Sequence, residues 1–313
     1  MKIRKILSVM LSLIILLSFP ACSDSSTDTK KLKIVATLFP QYDFANVISG
    51  GRAEVTMLLP YGTDSHTYEP SVKDMTAVAD CDIFLYTGSE MEPWALTLLE
   101  NSDSNAVIVD LSENITLLEG VVHDSHNHSV DHAHDYDPHI LTSPKNAIIM
   151  EDEILSAMCT ADEKNAEYYI KNSQNLKVQL TELDGSLSEM AENYSGKTLY
   201  FGGKFAFLYM FTEYGFNYES PYQGCSDESE PSIKTISDIC TKIQSDGTEY
   251  IFTEEMSENK VAKSIAEETD TELLVLHSCH NLSKNEAMAG ETYITLMQKN
   301  IQNIRTALYK RKN

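Results

Sequence analysis

Basic residues are scarce in this chain of 313 residues: 24 Lys and Arg stand against 47 Asp and Glu, a formal net charge of −23. A surface that acidic repels phosphate backbones and anionic headgroups, which excludes nucleic acid as a partner and electrostatic attachment to a membrane. It attracts cations. Cysteine is sparse as well: there are six, irregularly spaced, and without Cys22 the number is odd, so no disulfide framework is described. Cys81, Cys159 and Cys240 fall in apolar periodic segments, where a thiol acts as a small core residue, whereas Cys225 and Cys279 fall in polar loops. Neither H-E-x-x-H nor G-x-S-x-G occurs, and S-G-K-T at 195–198 is no phosphate loop because Ala191 stands where its first glycine is required.

Apolar residues run on without charge at positions 6–19, a stretch too short for a spanning helix. Lys2, Arg4 and Lys5 precede it, and F-P-A-C closes it, with Cys22 after the small Ala21. That order resembles a bacterial lipoprotein signal, with 1–21 removed and Cys22 lipidated. The polar stretch 22–31 then suits a flexible tether. The expected location is extracytoplasmic, anchored by lipid to the outer face of the cytoplasmic membrane.

Beyond the tether, apolar β-branched runs at 34–39, 55–59, 83–86 and 107–111 alternate with helical patterns at 41–48, 71–79 and 92–99. Continuously apolar strands alternating with helices describe a buried parallel sheet covered on both faces. Ser143 and Pro144 read as the cap and first position of a helix to about 158, and a long pattern from 162 to about 193 follows. The alternation then resumes, with strands at 198–201, 250–253 and 273–276 and helices at 205–214, 232–244, 258–269 and 292–309. The expected fold is α/β: two lobes, each a parallel sheet flanked by helices, joined by a long rigid helix. The expected boundaries are 32–160 for the N-terminal lobe, with a His-rich loop at 123–137, then 161–195 for the linker and 196–313 for the C-terminal lobe.

Six of the nine histidines lie in H-D-S-H-N-H-S-V-D-H-A-H-D-Y-D-P-H, positions 123–139. The others are His66, in the loop after the second strand, and His277 and His280, in L-H-S-C-H-N-L after the last. Open parallel sheets bind ligands beyond the carboxyl ends of their strands, and these loops all lie there. Imidazoles converging on one edge, with carboxylates nearby, point to zinc.

Taken in order, F-P-Q-Y-D-F-A, L-L-P-Y-G-T-D-S-H-T-Y-E-P, E-P-W, V-D-L-S-E, the histidine run and D-P-H resemble the solute-binding lipoproteins of ABC importers for zinc and manganese. The histidine-rich loop before D-P-H resembles the zinc branch. The resemblance implies two α/β lobes with the ion in the cleft between them, and His66 and His139 as ligands. It implies an ABC permease and its ATPase as partners, and a monomer. At the family's third ligand position this chain has Lys204, whose ammonium has no lone pair to offer. The fourth falls in the loop of His280, with His277 as the less well aligned alternative. Cys225, Glu228 and Glu230 are further candidates, or Cys225 and Cys279 form a disulfide. The expected set is therefore His66, His139 and His280 with a carboxylate or water, holding Zn2+ in preference to Mn2+. The loop histidines His123, His126, His128, His132 and His134 are expected to collect zinc weakly. A zinc hydrolase is the reading from another class, but no general base stands at fixed spacing from the histidines. A surface metal buffer or adhesin is a third.

The leader generates a direct test. Mass spectrometry of the membrane fraction is expected to find a diacylglyceryl group on Cys22. An unmodified chain released into the medium would contradict it.

Overall fold

The computed structural model describes residues 30–120, 136–222, 230–256 and 259–309. Cys22, His123, His126, His128, His132, His134, Cys225 and Glu228 lie outside the described residues.

The first half is built on a parallel sheet of order β2-β1-β3-β4, with β1 Leu32–Ala36, β2 Ala53–Met57, β3 Ile83–Tyr86 and β4 Val107–Asp110. The crossovers contain α1 (Phe39–Ser49), α2 (Val72–Ala79) and α3 (Pro93–Glu100). β1 and β3 are buried almost throughout because both neighbours and both faces are covered. β4 departs from the expectation of a uniformly buried sheet. It is an edge strand, and Val107 and Ile108 remain 46% and 49% exposed; β2, at the other edge, likewise exposes Glu54 and Thr56. The antiparallel bridge Glu119–Tyr136 and the Asp137 N–H to Leu118 O bond (2.9 Å) bring together the two ends of segment 121–135.

Ser143 caps α4 (Pro144–Ala161) as its sequence indicates, its Oγ accepting the Asn146 N–H. α5 (Ala166–Glu192) has 27 residues and spans about 40 Å. Its buried side chains, Tyr169, Ser173, Leu176, Leu180, Leu183, Leu187 and Met190, recur every three or four residues, so one stripe faces inward along the whole length. That stripe packs on α1 and α4 and also on α10 (Tyr293–Tyr309) from the far end of the chain.

The second half has two short parallel pairs. β5 (Leu199–Tyr200) pairs with β6 (Tyr218–Glu219), and β7 (Tyr250–Glu254) with β8 (Glu272–Leu276). A Phe201–Phe252 bridge links the pairs. α6 (Leu208–Tyr214), α7 (Ile233–Asp246), α8 (Lys260–Thr269) and α9 (Lys284–Ala289) complete it. Gly202 admits α8 closely: a Cβ there would stand 2.5 Å from the Ala262 Cα. Cys240 sits in a satellite core under this sheet and Cys81 in another under the first, while the main core runs from Leu32 to Ala307 through both halves. Among the described residues no helix is long and apolar enough to cross a membrane.

Candidate metal centre

His66, His139 and His280 come from three loops far apart in sequence and meet in space. The His139 ring lies 5.7 Å from the His66 ring and 5.0 Å from the His280 ring, centroid to centroid. Imidazoles sharing one tetrahedral zinc at N distances of about 2.0–2.1 Å have centroids roughly 5 Å apart, so the spacing suits a common ion. As they stand, no three His, Cys, Asp or Glu side chains among the described residues are gathered so as to hold a metal, so the rings must turn to share one.

Each histidine is held by its own fixtures. The Trp94 indole N–H of E-P-W donates to Ser65 O (3.0 Å), and the His66 N–H donates to Asp64 Oδ1 (2.7 Å). Tyr68 packs edge-on against Trp94, centroids 5.0 Å apart, and donates its hydroxyl to Asp74. These bonds give the H-T-Y-E-P loop its shape. His139 is buried, and its Nδ1 meets Asp137 Oδ1 at 3.0 Å, the same oxygen that accepts the His139 N–H. Donation from Nδ1 fixes the tautomer with the Nε2 lone pair available, the arrangement typical of a carboxylate behind a metal-binding histidine. Asp137 went unassigned in the sequence; its signal was its place two residues before His139 in D-P-H. The Tyr209 hydroxyl secures it by donating to Asp137 O (2.7 Å).

His280 is buried, and its Nε2 has no hydrogen-bond partner. Burial holds its pKa well below the usual histidine value, and the His139, His66 and His277 rings push the same way, so the ring is neutral and its nitrogens are unprotonated or singly protonated. The chain around it is sewn to the first half. Phe39 N–H donates to His280 O (3.2 Å), Gly62 N–H to Leu282 O (2.8 Å), and the Asn281 amide to both Pro60 O (2.8 Å) and Thr63 O (2.9 Å).

Of the other candidates, those among the described residues are engaged elsewhere. His277 Nδ1 accepts the Cys279 N–H (2.9 Å), which occupies that lone pair, and Glu286 Oε1 stands 3.5 Å from Nε2. Glu230 and Lys204 line a different cavity of about 230 Å3 with Tyr222, Glu254 and Lys260, and no histidine lines it. Cys279, expected in a polar loop or a disulfide with Cys225, is instead a free, fully buried thiol whose pKa burial pushes well up. Its φ of +66° is left-handed, a conformation that costs a residue with a Cβ roughly 1–2 kcal/mol.

Beneath the loops, Glu92 of E-P-W is fully buried and accepts bonds from the Thr37 hydroxyl and the Thr87 N–H (2.7 Å), with the Gln41 amide at 3.5 Å. It thereby ties the loop after β1, which meets His280, to the loop after β3. Burial outweighs these bonds and raises its pKa to about 7.

The fold and the histidine cluster define the class first: an α/β protein of parallel sheets flanked by helices, with a long helix and with imidazoles from both halves of the chain brought together in the loops that follow strands. The chain belongs to the family of the zinc-uptake complex component A, periplasmic, whose model matches residues 34–307. It is 33% identical over 288 residues to the zinc-binding protein AdcA of Streptococcus pyogenes, an alignment covering 88% of this chain and 56% of that protein. The chain thus spans little more than half the length of that relative. It is 32% identical over 298 residues to the high-affinity zinc uptake system protein ZnuA of Bacillus subtilis, covering 92% of this chain and 93% of that one. Among solved structures, the metal-dependent lipoprotein YcdH of Bacillus subtilis superposes with a TM-score of 0.76 at 30% identity, covering 89% of this chain and 99% of that one. The Zn(II)-bound ZnuA-like domain of Streptococcus pneumoniae AdcA gives 0.75 at 27%, covering 90% and 100%.

The Glu92 network carries a pH signature. From the ordinary value of 4.5 up to about 7 the unfolded chain has lost the Glu92 proton while the folded chain keeps it. Stability from this group is therefore present below 4.5 and lost as pH rises through about 7. The loss amounts to at most about 3 kcal/mol. Urea midpoints across this range should show a fall in the parent that Glu92→Gln largely removes; an unchanged slope would contradict the assignment.

Proposed function

We propose that this chain is the extracytoplasmic solute-binding component of an ABC importer: it captures Zn2+ between His66, His139 and His280 and delivers it to a membrane permease driven by its ATPase. The observation that carries the reading is the buried, unpartnered Nε2 of His280 beside the rings of His139 and His66. A buried imidazole nitrogen without a partner is costly, and a metal ion is the partner that three converging imidazoles can share. Three imidazole donors favour zinc over manganese, which prefers oxygen ligands. A water or carboxylate completes four-coordination, and Lys204 takes no part. The relatives, a zinc-binding protein and a high-affinity zinc uptake system protein, support the same cargo.

The chain acts as a binding protein without catalysis of its own. It works as a monomer, tethered by Cys22, with 32–160 and 196–313 as the lobes and 161–195 as the linker. The histidines of 123–134 collect zinc weakly near the site, because the residues that flank the segment, Glu119 and Tyr136, pair a few residues from His139.

Titration against a chromophoric zinc chelator tests the division of labour. Deleting 123–134 should leave one tight site and abolish only weaker uptake. His280→Ala should weaken the tight site by more than the roughly 10–100-fold typical of changes behind the ligands. Loss of the tight site on loop deletion, or parent-like binding by His280→Ala, would overturn the assignment.

A further inference from the structure

We propose that His277 is a positioning residue: its imidazole holds the left-handed turn at Cys279 that presents His280 to the metal, and it does not itself bind metal. The inference rests on His280 being a ligand.

The segment from His277 to Leu282 is fastened at every step. The Asn300 side chain on α10 clamps the His277 peptide from both sides, its Oδ1 accepting the His277 N–H (2.7 Å) and its Nδ2 donating to His277 O (2.8 Å). Ser278 is fixed to Glu255, which follows β7, through its N–H (2.9 Å) and its hydroxyl. The next peptide is different. The Cys279 N–H points back to His277 Nδ1 (2.9 Å), a side chain of the same turn. That bond closes a ring through Ser278 and fixes the amide of Cys279, the residue whose φ is +66°, a value that glycine adopts freely and cysteine does not. Without an acceptor at that point, the Cys279 N–H would be left unpaired in a fully buried turn. Directly after the reversal, His280 has its carbonyl against Phe39 N–H and its ring 5.0 Å from His139.

The same bond explains why two histidines three residues apart have different roles. With Nδ1 accepting, the proton of a neutral His277 sits on Nε2, which like His280 Nε2 is buried without a hydrogen-bond partner, with Glu286 Oε1 at 3.5 Å. Nδ1 faces the backbone and has Glu255 Oε1 at 3.7 Å. Neither nitrogen offers a lone pair towards His66 or His139.

The intact chain should be compared as parent, His277→Phe, His277→Asn and His280→Ala. Zinc affinity is read by chelator competition and ligand count by the visible spectrum of the cobalt(II)-loaded protein. Phe keeps the ring and removes the acceptor, while Asn puts an oxygen close to where Nδ1 stood. Zinc binding by His277→Phe should weaken about 10–100-fold, and His277→Asn should recover to within roughly threefold of the parent. Both should keep the parent's cobalt spectrum, which His280→Ala should change. Weak binding by His277→Asn together with a changed spectrum would make His277 a ligand and overturn the inference. Parent-like binding by His277→Phe would show that the turn does not need it, and overturns it too. Should His277→Phe fail to fold, His277→Asn decides: parent-like affinity and spectrum support the proposal, and loss of either contradicts it. If the parent takes up no zinc, or His280→Ala binds like the parent, the ligand assignment fails instead.

Discussion

A polar nitrogen buried without a partner costs about 1–3 kcal/mol, and His280 Nε2 is held in that condition. The surrounding structure is arranged to keep it there. The strained turn at Cys279 aims the ring, the peptides of His280 to Leu282 are bonded to the loops after β1 and β2, and Asn281 reaches across with both amide hydrogens. On the other side, Asp137 orients His139 and Trp94 shapes the His66 loop. On the proposed reading, an ion bound at that nitrogen offsets this cost.

The position of the histidines follows from chain topology. In a parallel sheet the loops that leave the strands all start at the carboxyl edge, so the loops of residues 66, 139 and 280, which follow β2, β4 and β8, meet without any local sequence signal linking them. The long stripe on α5 packs on helices from both halves and sets the frame within which they meet. Glu92 adds a buried polar tie below, where a satisfied network specifies one arrangement of the loops more sharply than apolar packing does.

Much of this was legible in the sequence. The apolar runs of β1, β3, β7 and β8, the Ser143–Pro144 start of α4 and the extent of α5 all follow from period and capping. The β6 strand and α9 were not legible, since two and six residues are too few for a period to show. The helix read from position 205 begins at Leu208, because Phe205 leaves the helical path to stack on Tyr218, centroids 3.7 Å apart. β4 read as buried because an apolar edge strand and an apolar central strand look alike in sequence. At the site, motif order pointed to His66 and His139. The sequence already preferred His280 to His277; what His277 Nδ1 does instead, accept the Cys279 N–H, and the burial of Cys279 in a polar-looking loop needed the tertiary fold.

The most direct measurement is a crystal structure of the zinc-loaded chain with anomalous data collected at the zinc edge. The account predicts one strong peak at about 2.0–2.1 Å from nitrogens of His66, His139 and His280, with His277 still bonded to the Cys279 N–H. A peak on His277 and Glu286, or in the cavity of Lys204 and Glu230, would contradict it.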